Sequence, residues 1–315
     1  MIEPSRVGAS VDVGSHSAHL LVGEVDGGLV LPRYDESARL ELGLIVDRGA
    51  HLGPIARRAL VETMTRFATI ARENEASQIT FMGTEPIRRA ADAARAIHEV
   101  EESSGAPLLV LTHREEALLT LVAVTGGRSV ESEILVIDIG GGSSESCVID
   151  GGGNLRTSGL PIGSDRLTAR HVSSDPATVE EIGAMRADAD RVMRDALEAR
   201  PAEVVIVGGA ASNLLKVTAG GQADPIITHD RLAEALANVT MMPAEMTAER
   251  YLLNPVRARI LPAGAVIVGA LMRRYGVDQV RVSEAGMRDG AILVADHDPY
   301  GWRDRLGELA LGWRD

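Results

Sequence analysis

The sequence predicts an α/β fold of two lobes. Strand-like apolar runs alternate with stretches of helical period, as in a layered α/β domain. One strand–turn–strand signature also occurs twice, about one domain length apart. The first copy is Val11-Asp12-Val13-Gly14-Ser15-His16-Ser17 and the second is Ile137-Asp138-Ile139-Gly140-Gly141-Gly142-Ser143-Ser144-Glu145. Each copy ends one apolar segment and opens another, Ala18 to Val25 and Ser146 to Ile149, so each reads as a hairpin with a tight turn. Two related lobes would each contribute one hairpin. A chain of 315 residues is long enough to give both a hydrophobic core.

Between the hairpins, the periodicity predicts helices over 54–75 and 86–103, separated by a short strand from Gln78 to Met82. After the second hairpin a helix is expected over 178–199, then a strand Val204 to Val207 ending in Gly208-Gly209. Helical patterns follow over 228–238, 262–275 and 284–296. Gly126-Gly127 reads as the hinge. The N-terminal lobe is therefore expected over 1–126 and the C-terminal lobe over 127–297, with a last helix over about 298–315 packing back on the first lobe.

Apolar residues make up 45% and charged residues 24% of the chain, which fits neither disorder nor a fibrous class. Apolar runs such as Ala117 to Val124, broken by Thr120, fall short of the roughly 20 residues that span a bilayer, so no membrane segment is expected. The start of the chain, with Glu3 and Pro4, lacks the basic-then-apolar pattern of a secretory leader, and the expected location is cytoplasmic. The single cysteine, Cys147, lies in an apparent strand and reads as a small buried hydrophobe rather than a nucleophile. A net charge of -13 argues against nucleic acid as a partner. The cations are almost all arginine, with Lys216 the only lysine, and arginine's fork suits phosphate oxygens.

The motifs give these arginines a ligand. Glycine lets the first turn bend sharply, so that its amides, with Ser15 and Ser17, can face a phosphate; the competing reading is a serine-rich hairpin turn. In the second copy, three consecutive glycines expose amides with no side chain in the way, and Asp138 and Glu145 bracket them with carboxylates suited to Mg²⁺. In Thr112-His-Arg-Glu115-Glu116, Thr112 and Glu115 fit a capping box. That leaves Glu116 at the positive end of a helix, where ionisation is favoured, either as a general base or as a solvated carboxylate. Thr84-Glu-Pro-Ile-Arg88-Arg89 reads as a strand end and helix start, where the pair of arginines could hold phosphate or simply be solvated. Val205-Ile-Val-Gly208-Gly209-Ala-Ala-Ser212 is a third strand, glycine turn and helix. Eight histidines are scattered without a metal-ligand spacing.

Together these motifs resemble the exopolyphosphatase and guanosine pentaphosphate phosphatase family, a branch of the actin, heat-shock chaperone and sugar kinase superfamily. The likeness runs through Asp12 to Ser17 with His19-Leu-Leu-Val, Thr84 to Ala90 and Arg114-Glu-Glu-Ala. It continues through Asp138 to Glu145, Pro161-Ile-Gly-Ser-Asp-Arg166-Leu-Thr and Ser283-Glu-Ala-Gly-Met-Arg288-Asp-Gly, in the family's order. The resemblance implies two actin-like (ribonuclease H-like) lobes, each a mixed sheet flanked by helices, with an interlobe cleft. It implies Glu116 and Arg88 as catalytic residues and Asp138, Glu145 and Asp12 as ligands of Mg²⁺ or Mn²⁺. Gly14, Ser15, His16, Ser17, Gly140, Gly141, Gly142, Ser143, Ser144, Gly208 and Gly209 would bind phosphate. The implied substrate is polyphosphate, which would lose terminal orthophosphate, or guanosine pentaphosphate. A non-hydrolytic sensor is the reading from another class, and a homodimer the expected self-association. The chain departs from the family at His16, where asparagine is common, at Gly208 to Ser212, which lacks the usual second glycine and both threonines, and at Arg259, which follows Arg257-Ala258 where a small acidic residue is common.

Overall fold

The computed structural model describes residues 6–314, apart from the side chain of Gln222. Glu3, Pro4 and Asp315, on which the leader reading and the end of the last helix fall, lie outside them. The chain divides into two compact units, one running to Ser129 and resuming at Ala285, the other Val130–Glu284.

The first unit is built on a five-stranded sheet of β1 (Arg6–Val13), β2 (Ser17–Asp26), β3 (Leu29–Arg39), β4 (Gln78–Gly83) and β5 (Leu108–Val110), in the order β3-β2-β1-β4-β5. Strands β1, β2 and β3 form an antiparallel meander, whereas β4 and β5 join in parallel through helical crossovers. The helices are α1 (Leu42–Gly49), α2 (Gly53–Glu73), α3 (Glu85–Arg89), α4 (Ala93–Ser104) and α5 (His113–Thr125). Val11, Val13, Leu20, Leu60, Met64, Phe67 and Phe81 fill the core on one side of the sheet. The helix expected over 86–103 is two: α3 ends after five residues, and Ala90 takes an extended ψ of 127° before α4 begins.

The second unit repeats the plan. Strands β6 (Ile134–Ile139), β7 (Ser144–Ile149), β8 (Leu155–Leu160), β9 (Glu203–Val207), β10 (Ile226–Thr228) and β11 (Gln279–Val282) pair in the order β10-β11-β9-β6-β7-β8. Read from β8, the series β8-β7-β6-β9-β11 matches β3-β2-β1-β4-β5. Its helices are α6 (Ser164–His171), α7 (Val179–Met193), α8 (Gly209–Lys216), α9 (His229–Thr240), α10 (Ala244–Tyr251) and α11 (Pro255–Tyr275), with a 3-10 turn at Gly221–Ala223. Helix α7 stops before the expected end at 199. Helix α11 starts seven residues before the expected 262, capped by Asn254 with Pro255 in the first turn, and carries Pro262 inside it. By length and composition alone α11 could cross a membrane, yet 78% of its apolar window is buried in the protein. Cys147 is fully buried, as a small hydrophobe would be.

Helices α12 (Met287–His297) and α13 (Trp302–Leu309) belong to the first unit, so the boundary expected after 297 falls one helix too late. The reason is packing: α12 lies against α5 and β1, so closely that a Cβ on Gly290 would come 1.9 Å from the carbonyl oxygen of Leu119. The chain end also returns to the expected hinge, where Gly126 and Gly127 both have positive φ; the amides of Trp313 and Arg314 donate to Gly127 O at 2.8 and 3.0 Å.

Candidate active site

The two echoed turns close in the same way. Gly14 N donates to Ser17 O at 3.1 Å, and Gly140 N donates to Ser143 O at 3.0 Å. Behind each turn the start of a helix takes up carbonyl oxygens. The amides of Leu40 and Glu41 donate to His16 O and that of Gly43 to Ser15 O, while the amides of Ser164 and Arg166 donate to Gly140 O and Gly141 O. In a trans peptide the C=O and the next N–H point in opposite directions. Carbonyls drawn toward α1 and α6 therefore turn the amides of His16 and Ser17, and of Gly141 and Gly142, to the other side. Successive amides on one side of a turn form a concave anion site.

The serines divide. Ser15 Oγ lies 3.3 Å from Glu85 Oε2, and Ser143 and Ser17 are nearly buried. Ser144 is fully buried and its hydroxyl donates to Ile162 O at 2.7 Å, so its side chain ties β7 to the segment before α6 instead of presenting an oxygen to phosphate. In the third turn Gly208 holds a φ of 100°, which only glycine adopts readily, and an added Cβ would meet Ile139 O at 2.7 Å and Asp138 Oδ1 at 2.8 Å. Ser212, where the family has threonine, donates back to Gly208 O at 3.2 Å, and Arg257 lies beside Gly209.

In the first unit, α3 and α5 bring Arg88 and Glu116 together. Arg88 Nη1 donates to Glu116 Oε1 and to Leu111 O, both at 2.5 Å, while Nη2 lies 3.1 and 3.2 Å from the two ring nitrogens of His113. Near-equal distances to both nitrogens put the guanidinium against the ring face. Glu116 is 7% exposed, which excludes the solvated-carboxylate reading. Glu115 does the capping: its amide donates to Thr112 Oγ1, and its carboxylate accepts from Thr112 N at 2.7 Å and from Arg303 Nε at 2.6 Å. Burial works against the charge on Glu115, but the bonds from Arg303 and Thr112 outweigh it and hold the carboxyl below its ordinary range.

Arg89 is solvent-exposed, as the solvated reading has it, but it is also paired. It spans Glu85 Oε1 and Asp47 Oδ1, each at 2.6 Å, and these bonds, Asp47 first, raise its pKa. Arg259 also gains an account. It donates to Ser174 O and lies 3.8 Å from Asp175, fastening the segment before α7 to α11. His113 and Glu85 were passed over in the sequence, although Glu85 stands four residues before Arg89, the spacing of a helical ion pair.

For a metal, the strand register is the test. Asp138 and Glu145 sit directly opposite on β6 and β7, where side chains share a face and like charges destabilise a pair. Glu145 is 5% exposed. Two carboxylates so placed fit a hard divalent cation, which takes oxygen ligands. Asp12 lies in the other unit, opposite His19, with its carboxylate beneath the Gly14 turn.

With this geometry in view, the comparisons decide the family. The model of the Ppx/GppA phosphatase family matches residues 21–297. The chain belongs to that family. Among curated relatives, exopolyphosphatase 1 of Mycobacterium leprae is 30% identical over 302 residues, covering 90% of this chain and 87% of the relative. Exopolyphosphatase 2 of Mycobacterium tuberculosis is 27% identical, covering 90% and 97%. The Aquifex aeolicus family member shares the fold with a TM-score of 0.81 at 23% identity, over 94% of this chain and 99% of that one. An exopolyphosphatase from Cytophaga hutchinsonii also gives a TM-score of 0.81, at 16% identity over 93% and 98%. This Ppx/GppA chain is accordingly a phosphatase, a hydrolase with two actin-like mixed sheets flanked by helices.

Proposed function

We propose that this phosphatase is an exopolyphosphatase, which releases orthophosphate from the end of polyphosphate with the help of Mg²⁺ or Mn²⁺. The observation that most supports it is the matched pair of turns whose carbonyls are drawn to the helix behind, in a chain whose relatives at 27% and 30% identity are exopolyphosphatases. A chain of phosphates offers oxygen acceptors along its length, so repeated amide cradles suit it better than a single anion pocket.

In this reading the amides of His16, Ser17, Gly141 and Gly142 receive phosphate oxygens. Glu116 orients the attacking water and accepts its proton. The water oxygen bonds to the terminal phosphorus as the bond to the bridging oxygen breaks, and the shortened chain leaves with that oxygen. Arg88 holds Glu116 in place and brings a cation to the reacting group. Asp138, Glu145 and Asp12 are the carboxylates proposed to hold the metal, which when bound would offset charge on the phosphate chain. Replacement Asp138→Asn should raise the Mg²⁺ concentration needed for half-maximal activity, since a neutral oxygen is a poorer ligand for a hard cation. Unchanged metal dependence in a titration would return Asp138 to the turn alone.

The deciding assay compares orthophosphate release from long polyphosphate, short polyphosphate and guanosine pentaphosphate at equal concentrations of phosphate ends. Faster release from polyphosphate is expected. Fastest release from guanosine pentaphosphate would make the chain an alarmone phosphatase, and binding without release would make it a sensor.

A further inference from the structure

The side chains around the first turn form a connected chain that the phosphate reading does not use. Ser15 lies between Gly43, where an added Cβ would meet Ser15 Cβ at 2.7 Å, and Glu85, whose Oε2 is 3.3 Å from Ser15 Oγ. That is long for an O–H···O bond, so Ser15 is fixed by packing as much as by the bond. Glu85 is 7% exposed, and its other oxygen accepts from Arg89 at 2.6 Å. Arg89 reaches on to Asp47. A carboxylate is thus placed one side chain away from a turn proposed to receive a polyanion. Left alone, such a charge would repel the ligand.

We propose that Glu85 is a positioning residue for the first phosphate turn and that Arg89 is its charge balance. The Ser15 hydroxyl is turned toward Glu85, and this turn meets phosphate through its backbone amides. The inference rests on the phosphate-binding reading above. It differs from a rim-charge role for Arg89 in one respect: Arg89 acts through Glu85, so the two residues are energetically coupled.

The test is a double-mutant cycle on KM for polyphosphate and on polyphosphate binding by calorimetry, at low and high salt, with thermal unfolding to verify folding. Arg89→Ala should raise KM about tenfold, because Glu85 then faces the ligand without the Arg89 cation, while kcat changes less than threefold. Glu85→Ala should raise KM by several-fold through loss of the turn's support, and Glu85→Gln should restore most of that. The double variant Glu85→Ala with Arg89→Ala should be no worse than Arg89→Ala alone. Multiplying losses, or an Arg89 effect that vanishes at high salt, would overturn the coupling and leave a screened surface charge. Should Glu85→Ala fail to fold, the pair Arg89→Ala and Glu85→Gln carries the same cycle. Ser15→Ala gives a second one: if its loss multiplies with that of Glu85→Gln, the hydroxyl binds phosphate itself and the inference falls. A wild-type protein that neither binds nor cleaves polyphosphate would defeat the phosphate reading and this inference together. An active wild type with independent variants would defeat this inference only.

Discussion

Glu115 and Glu116 are neighbours with opposite fates, and the difference lies in which partners each finds at the start of α5. Glu115 is consumed by Thr112 and Arg303, and Glu116 turns inward to Arg88. Replacement Glu116→Gln should lower kcat roughly 100-fold or more with little change in substrate binding, as for a lost general base, whereas Glu115→Gln should chiefly loosen the helix start. Single-turnover kinetics with a separate binding measurement would check this, and greater sensitivity at Glu115 would reverse the assignment. The division was legible because a capping box is a local pattern of four residues. The exposure of Arg89 was legible but its pairing was not, because its partner Asp47 is 42 residues away. The inward turn of Ser144 was not legible for a related reason: Ile162, whose carbonyl takes its hydroxyl, lies 18 residues on, in the segment before α6.

Among the elements, the long periodic helices and the two hairpins were legible, whereas edge strands and short helices were not. Strand β3 alternates partly buried and exposed residues but carries Pro32 and several charges, the composition of a loop as much as of an edge strand. The close approach of α12 and α5 could not be read either, since Gly290 and Leu119 come from distant parts of the chain. Gly290→Ala should cost about 1–3 kcal/mol, because a methyl group must push one helix from the other; urea denaturation would measure it. A tolerated alanine would mean that the two helices separate freely. In the second unit, Glu181 caps α7 and gathers the amides of Thr178, Ser173 and Ser174. The Thr178 and Ser173 amides, in that order, lower its pKa from 4.5 to about 2. A depressed folded-state value means that the stabilisation is present above about pH 4.5 and lost as pH falls toward about 2. Glu181→Gln should therefore destabilise the protein near neutrality, and the difference from wild type should shrink as pH falls through that window. Denaturation midpoints at a series of pH values would reveal it, and a constant gap would assign the loss to shape rather than charge.

For the whole molecule, charge and topology carry the remaining consequences. A protein of net charge -13 repels a polyanion at long range, while its cations are spent in local pairs such as Arg89 with Glu85 and Asp47. Added monovalent salt should therefore raise kcat/KM for polyphosphate between low and moderate ionic strength at fixed Mg²⁺, by screening that repulsion. A steep fall instead would show that a local positive field governs capture. The shared strand order of the two sheets was only half legible: the hairpins announce themselves, but the parallel pairings of β4 with β1 and β9 with β6 need crossovers that leave no local mark. The common plan also bears on descent. Apart from the Asp-x-Gly and a nearby serine, the two turns share little residue identity, yet each closes from its glycine amide to a serine carbonyl and yields carbonyls to the helix behind. An ancient doubling of one half-molecule would leave such a record, because selection can exchange side chains freely while the backbone donors and acceptors of a turn must stay matched. The history of such chains is better traced by aligning their hydrogen-bond ladders than their letters.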